Sequence, residues 1–401
     1  MPSLPSGPLP ALGVMFFGAT EADRSEDRYA LVRGAAAAAD RLGYTAVWTP
    51  ERHFDAFGGL FPSPAVLGAA LAAGTSRCQI RAGSVVAPLH DTLRIAEDWS
   101  VLDNLSGGGR VGISLGSGWN ANDFVLAPDR YADRARRVQD AVTELRELWA
   151  GRPVERRNGS GRTVQVAVQP TPLSPELPLW LTASGNPATF EAAGRLGTNL
   201  LTHLLGQDLD TLRERIDRYR AARAEAGHQG PGTVTLMLHT YATRDADNGW
   251  KAARTPLRGY LRTALELELR ASAGGGAVSG GREVSIPALP EAVIDELLEE
   301  RARRFHREAS LIGTPEKCLR MLERVGAAGV DEIACLVDFG LPLERVLDSL
   351  ELLADTRYPG TDRTPADTDR TLAGTGTGSG TSTGTDARDA AVDRPLAEVA
   401  G

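Results

Sequence analysis

The chain has 401 residues, 42% hydrophobic and 24% charged, with 44 Lys or Arg against 52 Asp or Glu for a formal charge of −8. That is an ordinary globular composition, large enough for a full core, and the acidic balance argues against nucleic acid and anionic membranes as partners. Three scattered cysteines without C-x-x-C, no metal-ligand spacing, no signal-like start and no apolar run near the roughly 18 residues of a membrane span predict no disulfide framework, no metal site, no membrane segment and a cytoplasmic location.

Residues 1–10 read as a loose arm. An apolar run at 12–17 predicts a strand, and the Ala-rich segment 26–42 a helix stopped by Gly43. Strand 45–49 precedes helix 64–73, which ends at Gly74. Strand 79–86 precedes helix 92–105, with Asp91 as its cap. Strand 111–115 leads to the amphipathic helix 131–149. An insertion at 151–178 carries Asn158-Gly159, a hairpin-turn signal. Strand 178–183 precedes helix 187–196, and strand 198–203 precedes helix 209–226. Strand 233–240 is followed by a second insertion, 245–312, whose Gly-rich part within 272–286 reads as a candidate lid. Helix 315–325, strand 331–337 and helix 343–353 complete the folded part, 11–356. The Thr/Gly/Asp-rich stretch 357–401 cannot bury enough apolar surface to order itself and is expected to be a disordered tail.

Eight strands, each with a following helix, imply a parallel sheet. The count favours an α/β fold of the (β/α)8 TIM barrel type with insertions; the competing architecture is a doubly wound open sheet. In a barrel the chemistry sits in the loops after the strands. Those loops carry Thr49–Asp55, Ala87–Asp91, Gly116–Asn120, Ser184–Pro187 and His203. Ser184 and Gly185 precede a helix start, a place for a phosphate or for a plain helix cap. Residues 116–121 match G-x-G-x-x-A only loosely and read better as a tight loop leaving room for a flat ligand. His53 is placed to manage a proton, or is a surface or capping histidine. His90 and His203 are weaker candidates, and His228, His239 and His306 receive no role. Phe54, Phe57, Phe61 and Trp119 are candidates for the pocket wall or for ordinary packing.

Three stretches carry a resemblance. Ala46-Val-Trp-Thr-Pro-Glu-Arg-His-Phe54, Leu102-Asp-Asn-Leu-Ser-Gly-Gly-Gly-Arg-Val-Gly-Ile113 with Gly118-Trp119, and 311–333 resemble the bacterial luciferase-like, flavin-dependent monooxygenases. Among these the chain looks most like the subgroup associated with nonribosomal peptide and polyketide biosynthesis. The resemblance implies the barrel of that family and reduced FMN as cofactor, supplied by a separate flavin reductase. It implies dioxygen as cosubstrate, a C4a-hydroperoxyflavin, and oxygenation of a secondary-metabolite intermediate that is free or tethered to a carrier protein. It also implies an often cis bond between Gly83 and Ser84 beneath the flavin ring, phosphate binding at Ser184 and Gly185, and Glu51 and His53 at the reactive edge. Asn120 would reach the ribityl chain or the ring edge, and a homodimer would form through early helices. Luciferase carries His where this chain has Arg52, Cys for Ser114 and Arg for Leu115, so aldehyde-dependent light emission is not expected. One phosphate contact is therefore missing, for which Arg94 and Arg110 are the candidate replacements. The alternatives are a deazaflavin (F420)-dependent hydride-transfer enzyme on the same barrel and a non-catalytic flavin-binding or carrier-docking protein.

Overall fold

The computed structural model describes residues 8–18, 27–274 and 290–357. The apolar runs become strands β1 (Ala11–Met15), β2 (Ala46–Thr49), β3 (Gln79–Val86) and β4 (Val111–Gly116). They continue as β5 (Val154–Arg157), β6 (Thr163–Val166), β7 (Leu179–Ala183), β8 (Asn199–His203), β9 (Val234–Ala242), β10 (Ser310–Gly313) and β11 (Glu332–Leu336). The helices are α1 (Ala30–Leu42), α2 (Pro64–Ala73), α3 (Thr92–Ser106), α4 (Arg134–Trp149) and α5 (Pro187–Arg195), then α6 (Leu209–Glu225), α7 (Ala246–Gly274), α8 (Glu291–Glu308), α9 (Pro315–Ala327) and α10 (Leu343–Arg357).

Strands β1, β2, β3, β4, β7, β8, β9 and β11 pair in that order, all parallel, and β11 returns to β1. The ring is closed: a (β/α)8 barrel, not an open sheet. Helices cover the outer face of each strand and side chains fill the interior, so the strands read as unbroken apolar runs; every residue of β9 is buried. Local signals set the helix ends. Gly43 closes α1 at φ 78° in the left-handed region, and the Ser63 hydroxyl and Asp91 carboxylate accept the N–H groups of Val66 and Leu93 at the starts of α2 and α3.

At the N-terminal end of the barrel, Arg81 of β3 reaches across the interior to Glu332 of β11 (2.8 and 3.0 Å). Both are buried, and the Arg81 guanidinium is flanked by the rings of Trp48 and Trp180. This polar plug closes the end away from the site.

The two insertions differ from their sequence reading. The first is the expected hairpin, β5 antiparallel to β6. Its turn is longer than the Asn-Gly signal suggests: Asn158 Oδ1 accepts the N–H groups of Ser160 and Arg162, and the left-handed residue is Gly161, not Gly159. The second contains α7, α8 and an additional strand. At His239, β9 already pairs with Leu336 of β11, so β10 takes the edge that β8 leaves after Met237. Four residues give no periodicity, and for that reason β10 was invisible in the sequence. Residues 275–286 of the expected lid, 1–7 of the arm and 358–401 of the expected tail lie outside the described residues.

Candidate active site

A cavity of about 530 Å³ lies at the C-terminal ends of the strands. Its lining joins Gly83 and Ser84 of β3, Thr182 of β7 and Leu201 to His203 of β8 with Glu51 and Arg52 after β2. The Gly83–Ser84 peptide bond is cis. Beneath it the Thr182 hydroxyl lies 2.5 Å from Ser84 Oγ and 2.6 Å from Ser114 Oγ, so three hydroxyls satisfy one another in an otherwise apolar floor. A Cβ on Gly83 would meet Met15 and Trp48 at 3.1 Å, so packing asks for glycine here.

One wall comes from α7. Tyr260, Leu261, Ala264 and Leu265 line the cavity, with Arg301 of α8 beside them. Together with buried Leu257 they recur at the spacing of one helix face. That stripe was present in the sequence, but the Gly-rich stretch behind it drew the segment toward a lid. Phe57 and Trp119 line the cavity as expected. Phe61 is instead fully buried against Phe16, and Phe54 is exposed.

Glu51 is the hub of the loop after β2. Its backbone N–H donates to Ser84 O (3.0 Å), tying the loop to the floor. Its carboxylate accepts the Val86 N–H at 2.7 Å and faces His53 Nε2 at 2.8 Å and His90 Nε2 at 2.5 Å. Burial alone would raise the Glu51 carboxyl, but the contacts to His53 and His90 outweigh it and hold it below its ordinary value. Burial likewise lowers the His90 imidazole, and Glu51 outweighs it, leaving His90 above its ordinary value. His90 is therefore the third member of this cluster and more than a loop prop. Glu51 lines the cavity; His53 stands behind it and is not among the lining residues.

His203 does line the cavity. Burial pushes its imidazole down to about 4, so it is neutral near pH 7. Its Nδ1 accepts the Leu205 N–H (3.1 Å), which leaves the proton on Nε2 as a donor.

Ser184 lines the cavity, and Gly185 follows it at φ 135°, a conformation that favours glycine. The Asn186 side chain caps α5 through the Ala188 N–H. Beside this loop stands Arg215 of α6: a Cβ on Gly185 would lie 3.2 Å from its Nη1, and that nitrogen donates to Gln207. The two arginines offered by the sequence are elsewhere. Arg94 pairs with Asp98 on the outside of α3, and Arg110 donates to Cys78 O and Thr75 O at the opposite end of β4. Asn120 is also occupied away from the cavity, donating to Asp123 Oδ1 (2.8 Å) and capping Asn122. Among the described residues no cluster of His, Cys, Asp or Glu is arranged to hold a metal ion, and no helix is long and apolar enough to cross a membrane.

The family model described as luciferase-like monooxygenase matches residues 12–332. The chain belongs to that family. Among relatives of this luciferase-like chain, the oxygenase component of flavin-dependent trigonelline monooxygenase from Acinetobacter baylyi is 25% identical over 82% of this chain and 89% of its own. Two solved structures share the barrel. The oxygenating constituent of 3,6-diketocamphane monooxygenase from Pseudomonas putida, a type II Baeyer-Villiger enzyme in complex with FMN, is 16% identical over 87% of this chain and 98% of that one, with a TM-score of 0.67. An F420-dependent secondary alcohol dehydrogenase in complex with an F420-acetone adduct is 18% identical over 87% and 99%, with a TM-score of 0.62.

Proposed function

We propose that this chain is the oxygenase of a flavin-dependent monooxygenase system, using reduced FMN from a separate reductase to place one oxygen atom of O2 in a small biosynthetic intermediate. One observation carries the reading: an apolar cavity at the catalytic end of a luciferase-family barrel runs into a loop, Ser184–Gly185, flanked by the cation Arg215. The residues present fit a flat, phosphorylated ring system. Ser184, Gly185 and Arg215 would hold the phosphate near the N-terminus of α5, and the Gly83–Ser84 segment would face the ring.

When bound, reduced FMN supplies the electrons that activate dioxygen. The chain supplies the setting. Met15, Val86, Leu201, Met237 and the α7 stripe exclude water from the cavity. His203 offers a neutral N–H donor inside it. Glu51, held by three donors, fixes His53 and His90, and His53, behind the lining, is the group we assign to exchange a proton with Glu51 at the cavity wall.

The deazaflavin alternative has support from the F420-dependent structure at the level of fold. The oxygenase reading is favoured by the flavin-dependent relative, which aligns over most of both chains. The test is genetic and chemical. A strain lacking this gene should accumulate a compound that purified protein, chemically reduced FMN and 18O2 convert to a product carrying one labelled oxygen. A product reduced or oxidised by two hydrogens without label would overturn the reading.

A further inference from the structure

Two arginines line the cavity, Arg301 of α8 and Arg52, and of these Arg52 is the buried one. Arg52 is only 9% exposed. Among the described residues its guanidinium makes no hydrogen bond and no ion pair. It lies instead 4.8 Å from the ring centre of Phe17, 5.1 Å from Phe57 and 5.8 Å from Trp119. All three rings line the cavity together with Arg52 itself. The loop is shaped around it: Gly58 sits at φ 77°, and a Cβ there would be 2.8 Å from Arg52 Cγ.

Burial works against this cation, and the carboxylates of Asp123, Asp55 and Asp338 support it from a distance. The acids spend hydrogen bonds on other partners: Asp338 on the N–H groups of Phe17 and Gly18, Asp123 on Asn120, and Asp55 on the Phe57 N–H. Aromatic faces stabilise a guanidinium but take none of its in-plane N–H donors. A buried donor fork aimed into a cavity therefore lacks its hydrogen-bonding partner. The flavin phosphate is poorly placed to be that partner. Ser184 follows β7, while Arg52 follows β2, and β3 and β4 stand between them in the ring.

We infer that Arg52 anchors a carboxylate on the substrate, so that the cavity takes a small organic acid whose apolar or aromatic body packs among Phe17, Phe57 and Trp119. The word substrate rests on the oxygenase reading above; the anion site does not. Glu51, the preceding residue, is bonded to the floor through Ser84, so the anchored acid sits at a fixed place relative to the ring site. Guanidinium and carboxylate pair through two parallel N–H···O bonds, a geometry an amide cannot match.

The experiment measures benzoate and benzamide binding to the full chain by calorimetry, with and without FMN, and FMN and riboflavin binding by fluorescence. Benzoate should bind about tenfold or more tightly than benzamide. Arg52→Gln should erase that difference and leave the preference for FMN over riboflavin unchanged, and Arg52→Lys should keep part of the difference. Equal binding of acid and amide, no detectable binding of either, or discrimination that survives in Arg52→Gln would overturn the inference. So would an Arg52→Gln protein that loses its preference for FMN, since Arg52 would then hold the cofactor phosphate. If benzoate discrimination holds while FMN does not bind, the flavin reading fails and the anion site stands.

Discussion

At the scale of single residues, the site is organised by groups whose charge is fixed by their neighbours. Among the described residues Arg215 is the cation beside Gly185, and in the proposed function it takes the phosphate-contact role that Leu115 cannot fill. Replacing it with Gln should weaken FMN binding about tenfold while barely changing riboflavin binding, read by quenching of flavin fluorescence. The Glu51 cluster makes a separate prediction. Only Glu51 and more distant acids oppose the burial that lowers the His90 imidazole. In Glu51→Gln the burial remains and the main opposing charge is gone, so the His90 pKa should fall below 6.5, followed by NMR titration of its ring protons. A pKa that stays above that value would show that Glu51 is not the cause. Sequence reading singled out His53 from its place after the second strand and Glu51 through the resemblance, whose motif holds both. It ranked His90 low and missed Arg215, because the contacts that give them meaning cross 39 residues to Glu51 and a strand-helix unit to Gly185.

At the scale of elements, α7 does two jobs with two faces. Its apolar stripe closes the cavity, while Arg254, Arg258 and Arg262 on another face meet Glu291, Asp295 and Glu299 of α8. The stripe carries the stability and the ion pairs carry little, since the latter are partly solvated. Leu261→Ala should cost roughly 2–4 kcal/mol by the cavity it leaves. Asp295→Ala should cost less than about 1 kcal/mol. Denaturant unfolding of both variants checks the ranking, and equal losses would contradict it. The barrel strands and the helices α1 to α6 were legible because alternating apolar runs, Gly stops and Asp or Ser caps repeat with each unit. The insertion was not: β10 is a four-residue run recognisable only through its pairing with β9.

At the scale of the whole molecule, buried histidines set the response to acid. The Glu51 contribution is present above about 4.5 and is lost as pH falls through its lowered folded pKa. The His90 contribution is complete below 6.5 and is lost as pH rises through its raised folded pKa. His203 and His239 run the other way. Burial holds them at about 4 and about 3, so below 6.5 the unfolded chain takes up protons that the folded chain refuses. Burial holds His306 at about 4 as well, and three such groups outweigh one, so the folded state should lose stability as pH drops from 6.5 to 4.5. His239 is ringed by Tyr260, Phe305 and Phe339, so Phe is a tolerable replacement. His239→Phe should remove roughly 2–3 kcal/mol of that acid loss, measured as the difference in unfolding free energy between the two pH values. An unchanged slope would mean that His239 is protonated in the folded protein.

These scales meet in the cavity, where on the proposed function the floor, the α7 wall and the Gly185 loop hold one flat phosphorylated guest. Anaerobic ultrafiltration of the full chain with chemically reduced FMN, and separately with reduced F420, tests that arrangement most directly. Retention of one reduced FMN per chain, diminished in Arg215→Gln and not matched by F420, is the predicted result. Retention of F420 alone, or of neither, would contradict it.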